Sequence, residues 1–217
     1  MDLRKAESSA KLSPLRVNPN AVFLNIPYDE DFRPLYLAYI VGLCMMDMKP
    51  WIASGVPGGR RRLSRILELI QRCRYSIHDL SRVELSPFGL GTPRFNMPLE
   101  LGMTITWAEL KEKSHTWFVM ESAPRRLDQS TSDLGGTDPN IHFGTVEGVL
   151  SGLRSAFVHK SSPPVPKMLQ AYRIVESNVQ KTLEDAGTHD IYAASVFKEL
   201  CFVALRASQL TLLEENQ

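Results

Sequence analysis

Two stretches of the chain hold side chains suited to acid–base or nucleophilic chemistry. The first, CRYSIHDLSR, begins at Cys73 and places His78 and Asp79 at the end of an apolar run. The second, PRFNMPLELGM, begins at Pro93 and places Glu100 among apolar residues. A buried carboxylate is unfavourable unless another group pairs with it or a reaction uses it. The pattern therefore predicts either a helix cap or an active site at Glu100.

The position of Glu100 near a predicted helix start supports two interpretations. As a capping-box residue it would accept hydrogen bonds from free backbone N–H groups, where the helix dipole also favours negative charge. The same dipole would keep the carboxylate ionised, as a nucleophile or a stabiliser of an oxocarbenium ion requires. Residue types alone leave both interpretations open.

The strand-end residues before Glu100 are equally ambiguous. In the structural interpretation, Asp79 holds an Asx-type turn at the strand end. In the functional interpretation, it hydrogen-bonds a sugar hydroxyl or relays a proton to the leaving base. His78 either satisfies nearby backbone groups or reaches a ligand, and His142 in NIHF has the same two interpretations.

Short apolar runs alternate with apolar stripes at helical spacing along the chain. Predicted strands cover residues 21–26, 49–54, 75–80, 116–120 and a shorter stretch at 141–143; predicted helices cover 31–46, 60–72, 97–110 and a segment near 146–153. The first helix is predicted to be amphipathic. Alternation of this kind favours a parallel sheet with helices on both faces. We expect a flavodoxin-like (Rossmann-like) α/β fold of about five strands.

Composition divides the chain into three parts. Residues 1–20 mix charge, Ser, Pro and Asn without periodicity and are predicted to form a mobile arm. Residues 21–160 form the predicted α/β domain. SSPPVP at 161–166 is a predicted stiff linker, and residues 161–217 as a whole form a helical appendage. Its two helices carry apolar seams, one of which includes Val196, Leu200 and Leu210, so the hairpin either packs on the domain or binds a second copy or a partner protein.

Ligands of open parallel sheets bind outside the carboxyl ends of the strands. That rule selects candidate residues before any motif is considered. One of them, Asn96, is also the predicted N-cap of the helix that contains Glu100. Glu100 and Asp79 are the predicted catalytic residues. The predicted substrate-binding residues are Asn25, Pro27, Tyr28, Ser54, His78, Ser81, Arg94, Phe95, Asn96 and Met97.

The segment GVPGGRRRL places three arginines, Arg60, Arg61 and Arg62, at a predicted helix start. Because the helix dipole disfavours cations there, a solvated surface is one interpretation. The alternative is an anion site in which glycine backbone and an arginine hold phosphate. The segment lacks the Gly-Lys-Ser/Thr of a Walker A motif.

Composition excludes several functional classes. The net charge is +1, which gives no electrostatic basis for binding nucleic acid or an anionic membrane. The three cysteines have neither metal-ligand nor disulfide-framework spacing, so a reducing compartment and no metal are expected. Neither a signal peptide nor a transmembrane run is recognisable, so we expect a cytoplasmic protein.

Three stretches together resemble bacterial proteins related to the nucleoside 2-deoxyribosyltransferase superfamily, which is similar in fold to TIR domains. They are VFLNIPYDEDFRPLY, CRYSIHDLSR and PRFNMPLELGM, and the resemblance covers about residues 21–158. In the transferases a glutamate in a Met-Glu-Leu-Gly-like segment attacks the anomeric carbon of deoxyribose, and Glu100 in LELG matches it. Asp79 resembles the strand-end acid of the superfamily, and Tyr28 its first-strand aromatic residue.

The resemblance implies an enzyme that cleaves the N-glycosidic bond of a nucleotide or of NAD, as relatives in bacterial antiviral defence are thought to do. NAD or a nucleotide would be the substrate, and no cofactor is expected. A nucleoside 2-deoxyribosyltransferase of nucleotide salvage and a non-catalytic nucleotide sensor are the alternatives. The chain continues into helices where the transferases place an Asn that a neighbouring subunit contributes, and this departure disfavours base exchange. The resemblance also implies a homo-oligomer or a protein partner that binds the C-terminal helices.

Overall fold

The structure, a computed structural model, describes residues 16–54, 62–82, 95–111, 114–134 and 136–213. Five strands form an all-parallel sheet in the order β2-β1-β3-β4-β5. The strands are β1 (Asn18–Asn25), β2 (Lys49–Ile52), β3 (Cys73–Asp79), β4 (Thr116–Glu121) and β5 (Asn140–Ile141). This is the flavodoxin-like strand order, and the predicted fold class is confirmed.

Seven helices connect or cover these strands within the described ranges. They are α1 (Arg33–Met45), α2 (Arg62–Arg72), α3 (Asn96–Leu110), α4 (Arg126–Ser130), α5 (Val146–Ala156), α6 (Val165–Asp185) and α7 (Ala194–Leu213). The polar stretch between β4 and β5 contains α4 and a 3-10 turn, because Leu127 is buried against the α3 side of the sheet. At the other end, β1 begins at Asn18, so the last three residues of the predicted arm pair with the sheet, and residues 1–15 lie outside the described residues.

The two faces of the sheet have different neighbours, and alternation along β3 shows which side chains meet which helices. Tyr75 and Ile77 pack with α1 and α5 in the larger hydrophobic core, and Asp79 also lies on that face. Ser76 and His78 point to the face covered by α2 and α3, where His78 lies edge-on to Phe23.

Helix α1 is buried on all sides, so the prediction of an amphipathic helix is wrong. Eleven of its thirteen residues are buried. One side contacts the sheet, a second approaches α5 so closely that a Cβ at Gly42 would lie 2.5 Å from Leu153 Cδ1, and the rest is covered by α6 and α7. A helix that is apolar all round needs such complete cover.

The C-terminal hairpin supplies part of that cover. Buried residues of α6 and α7 belong to the same hydrophobic core as α1 and the sheet; they include Met168, Val175, Val179, Val196, Leu200 and Ala207. Of the two interpretations, packing on the α/β body is therefore the one that the structure shows. Leu210, predicted on the seam, is 58% exposed. No described helix has the length and apolarity needed to cross a membrane.

The predicted linker is shorter than expected. Helix α6 begins at Val165 with Pro164 as its N-cap, so the last two residues of SSPPVP are already helical. Proline is compatible with the first turn of a helix because the N–H group that it lacks would have no partner inside the helix.

Replacing Leu200 with Ala tests whether the hairpin is part of the core. Leu200 is fully buried, so Leu200→Ala should lower the free energy of unfolding by about 2–5 kcal/mol. Leu210→Ala on the same helix is the matched control and should change it by less than about 1 kcal/mol. Urea denaturation of both variants measures the difference, and equal effects would show that the hairpin is not packed as described.

Candidate active site

A cleft of about 190 Å³ opens at the carboxyl edge of the sheet. Its lining residues come from the end of β1 and the following loop, from the end of β2, from the start of α2 and from the first turns of α3. They are Leu24, Asn25, Ile26, Pro27, Tyr28, Ala53, Arg62, Asn96, Met97 and Glu100. Strand order reverses between β1 and β3, and ligands of open α/β sheets bind at such a switch point.

Glu100 is the carboxylate of this cleft. It is 5% exposed, and within the described residues its carboxylate has no hydrogen-bond or ion-pair partner. Helix α3 begins with Phe95 as N-cap without any side-chain cap bond, so the prediction of Asn96 as N-cap is wrong. Glu100 is the fifth residue of the helix, beyond the N3 position of a capping box, and does not cap it.

Burial determines the charge state of Glu100. Desolvation raises the pKa of its carboxyl from 4.5 to about 7, although the Arg62 guanidinium partly opposes this. The expectation that the carboxylate is kept ionised is therefore wrong, because loss of water favours its neutral form. A carboxyl that titrates near neutral pH without a protein partner is typical of a functional group.

Arg62 and Tyr28 line the cleft with Glu100 and interact with it electrostatically. Arg62 is exposed at the start of α2 and has no ion-pair partner in the part of the chain that is described. Burial, and next the Glu100 charge, raise the pKa of the Tyr28 hydroxyl, so it stays protonated and can donate. Arg62 thus faces the cleft instead of forming only a solvated surface, and it supplies a cation for an anionic ligand.

Tyr192, which the sequence interpretation missed, supports the cleft from outside. It lies in the loop between α6 and α7, with its ring 5.3 Å from that of Tyr28 and 4.9 Å from that of Tyr36. Its hydroxyl donates a 2.6 Å hydrogen bond to the backbone oxygen of Asp29. The C-terminal hairpin therefore holds the loop after β1. No local pattern could have revealed this, because 163 residues separate the bonded pair.

The structure does not bring Asp79 to Glu100. Asp79 is fully buried on the opposite face of the sheet, where its Oδ2 accepts a 2.7 Å hydrogen bond from the Tyr39 hydroxyl. Its Oδ1 accepts from the backbone N–H of Ser81 at 2.9 Å. His142 Nε2 lies 3.3 Å from Oδ2, a close electrostatic contact without hydrogen-bond alignment. These contacts match the Asx-turn interpretation and tie β3 to α1 and to the turn after β5.

The remaining predicted site residues divide by location. Asn25, Pro27, Tyr28, Asn96 and Met97 line the cleft together with Glu100. His78 and Ser81 are buried and do not line it, and Phe95 is 68% exposed at the helix start. Ser54 lies in a separate cavity of about 400 Å³ beside α7. Arg94, Arg60 and Arg61 lie outside the described residues.

Comparison with known proteins gives no family assignment: no family model matches the chain, and no curated protein matches it significantly. Among the described side chains, no group of three or more His, Cys, Asp or Glu residues is placed to hold a metal ion.

The Glu100 carboxylate should make stability pH-dependent. Its pKa is about 7 in the folded chain and near 4.5 when unfolded, so stability falls as pH rises between these values. At pH 8 the ionised group should cost up to about 3 kcal/mol. Glu100→Gln should therefore be more stable than the native chain at pH 8 and similar at pH 4. Urea denaturation across this range measures it, with Glu109→Gln on the same helix as control; a destabilised Glu100→Gln at pH 8 would contradict it.

Asp79 should matter mainly for stability. Asp79→Ala leaves the Tyr39 hydroxyl and a backbone N–H without their partner, so we expect a loss of about 3–5 kcal/mol. Tyr39→Phe should lose less, about 1–2 kcal/mol. Thermal denaturation measures both, and Asp138→Ala, at an exposed aspartate, is the control. An Asp79→Ala protein as stable as its control would show that this network is not formed.

Proposed function

We propose that this chain cleaves the N-glycosidic bond of a nucleotide or of NAD, with Glu100 as nucleophile or oxocarbenium-stabilising carboxylate. One observation carries the proposal: a nearly buried carboxylate, which has no partner among the described residues, lines a cleft at the switch point of the sheet. Burying such a group unpaired is unfavourable, so its retention is best explained by a partner that arrives with the substrate.

The chemistry of the bond fits this arrangement. As the C–N bond breaks, the base leaves with the bonding electron pair and positive charge develops at the anomeric carbon. The Glu100 carboxylate either forms a C–O bond to that carbon or holds it as an ion pair, in surroundings of low dielectric where the attraction is strong. Water then adds to the carbon, and any bond from that carbon to Glu100 breaks and frees the carboxylate. The products are the sugar phosphate, or ADP-ribose from NAD, and the proton that water loses, which a departing base other than nicotinamide takes up. A cationic leaving group such as nicotinamide leaves without further protonation.

Other cleft residues have roles that suit a nucleotide. Arg62, exposed at the cleft and without an ion-pair partner among the described residues, can bind a phosphate. The protonated Tyr28 hydroxyl can donate a hydrogen bond to the sugar or to the leaving base. Asp79 has no part in this proposal, since its oxygens are engaged on the other face of the sheet.

The resemblance in sequence supports the same reaction class, because LELG, which contains Glu100, resembles the segment that carries the attacking glutamate of the deoxyribosyltransferases. It further supports a defence effector and an assembly, either with copies of itself or with a partner protein. Base transfer and ligand sensing without turnover use the same cleft, and we treat them as alternative outcomes of one assay.

Base release is the direct test. Native protein, Glu100→Gln and the control Glu109→Gln are incubated with NAD, with ribonucleotides and with deoxyribonucleotides, and free bases are separated by chromatography. We expect the native protein and the control to release base, and Glu100→Gln to be slower by about 100-fold or more. Since Glu100 must be ionised, the rate should rise with pH up to about 7 and then level.

The alternatives give different results in the same assay. Release of the original base only when a second free base is added to take its place would indicate the transferase. Binding of a nucleotide without turnover, unaffected by Glu100→Gln, would indicate the sensor. Equal rates for the native protein and Glu100→Gln would overturn the role of Glu100.

A further inference from the structure

A continuous chain of hydrogen bonds runs from the cleft through β3 to the amino end of the sheet. Asn25 Nδ2 lies 2.9 Å from His78 Nδ1, and His78 Nε2 lies 3.0 Å from Ser76 Oγ. The same Oγ lies 3.0 Å from His115 Nε2, and His115 Nδ1 lies 2.9 Å from the backbone oxygen of Cys73. Asn25, Ser76, His78 and His115 are all buried, between 0% and 5% exposed.

The two ends of this chain determine the direction of every bond in it. Asn25 Nδ2 also lies 3.1 Å from the backbone oxygen of Met97, which can only accept. The amide nitrogen therefore donates to Met97 and to His78 Nδ1. At the other end, the Cys73 oxygen requires that His115 carry its proton on Nδ1.

The inner bonds follow from these assignments. His78 Nε2 then carries the proton and donates to Ser76 Oγ, and the Ser76 hydroxyl donates to His115 Nε2. Both rings must be neutral, and burial lowers the pKa of His78 to about 3 and that of His115 to about 4. All four side chains thus have one consistent arrangement of protons.

This arrangement leaves one polar atom of Asn25 free. Both amide protons are engaged, and within the described residues Oδ1 has no partner, while Asn25 lines the cleft. Rotating the amide by half a turn would point Oδ1 at the Met97 oxygen and at His78 Nδ1, two acceptors. These hydrogen bonds therefore leave Oδ1 as the acceptor that Asn25 can offer to a ligand in the cleft.

We propose that Asn25 selects the substrate by accepting a hydrogen bond from a sugar hydroxyl, and that Ser76, His78 and His115 are positioning residues that keep its amide in this orientation. The proposal rests on the proposed function. Met97, to which Asn25 is bonded, lies about one helical turn before Glu100, so a sugar ring whose anomeric carbon faced Glu100 would lie near Asn25. A cleft of about 190 Å³ has room for the sugar ring that both residues would contact.

The test compares substrates that differ by one hydroxyl: AMP, 2′-deoxy-AMP and 3′-deoxy-AMP. Native protein should prefer AMP over one of the two deoxy analogues by about 10-fold or more in kcat/KM, because that analogue leaves Oδ1 unpaired. Asn25→Leu should reduce this preference to about 2-fold or less. Ser76 lies outside the cleft. Ser76→Ala should reduce the preference for AMP several-fold, and Ser76→Thr, which keeps the hydroxyl, should retain that preference.

Two further arms keep the inference separate from the proposed function. Ser155→Ala, at an exposed serine of α5, is the matched control and should keep the full preference. Calorimetry measures the binding of the same three nucleotides to Glu100→Gln, with and without Ser76→Ala. The affinity should depend on the same hydroxyl, and Ser76→Ala should weaken that dependence, even if no base is released. Base release without any preference that depends on Asn25 overturns the inference and leaves the proposed function standing. Absence of hydroxyl-dependent binding in the calorimetry also overturns it.

Discussion

The burial of eleven of the thirteen residues of α1 is the constraint on which the rest of the structure depends. A helix without a polar face cannot lie on the surface of a sheet, because the apolar area left in water would be too large. The sheet, α5 and the C-terminal hairpin each cover part of it. The hairpin is therefore required by the core, and its loop reaches the loop after β1 through Tyr192. One hydrophobic requirement thus determines both the packing of the appendage and the shape of one wall of the cleft.

Asp79 and Glu100, on opposite faces of the sheet, differ in their partners. On the α1 face, Asp79 is saturated by Tyr39 and the Ser81 backbone and lies beside His142. On the α3 face, Glu100 has no partner among the described residues, and Asn25 keeps one free acceptor. A satisfied buried network stabilises a fold, whereas an unsatisfied buried carboxylate destabilises it until a ligand arrives. The contacts of Asp79 therefore favour the folded state, whereas burial of the ionised Glu100 carboxylate opposes it.

Much of the secondary structure and the flavodoxin-like fold class could be predicted from the sequence. Alternation of apolar runs and helical stripes located all five strands, and Gly187, with a φ of 62°, lies where α6 and α7 are separated. The errors occurred where local signals compete. Proline at 166 indicated a linker but is accepted in the first turn of α6, and the polar stretch after β4 forms α4 around the buried Leu127.

By itself, the sequence determined most of the elements, the edge of the sheet at which the cleft opens, and Glu100 as a carboxylate of that cleft. These depend on periodicity and on the direction of parallel strands, which are local properties. Only the tertiary structure decided that Asp79 faces away from Glu100, that Arg62 faces the cleft and that Tyr192 supports it. Adjacent residues such as His78 and Asp79 point to opposite faces of a strand, and what each then meets depends on helices distant in sequence. Contacts between distant segments arise from packing, which no local pattern records.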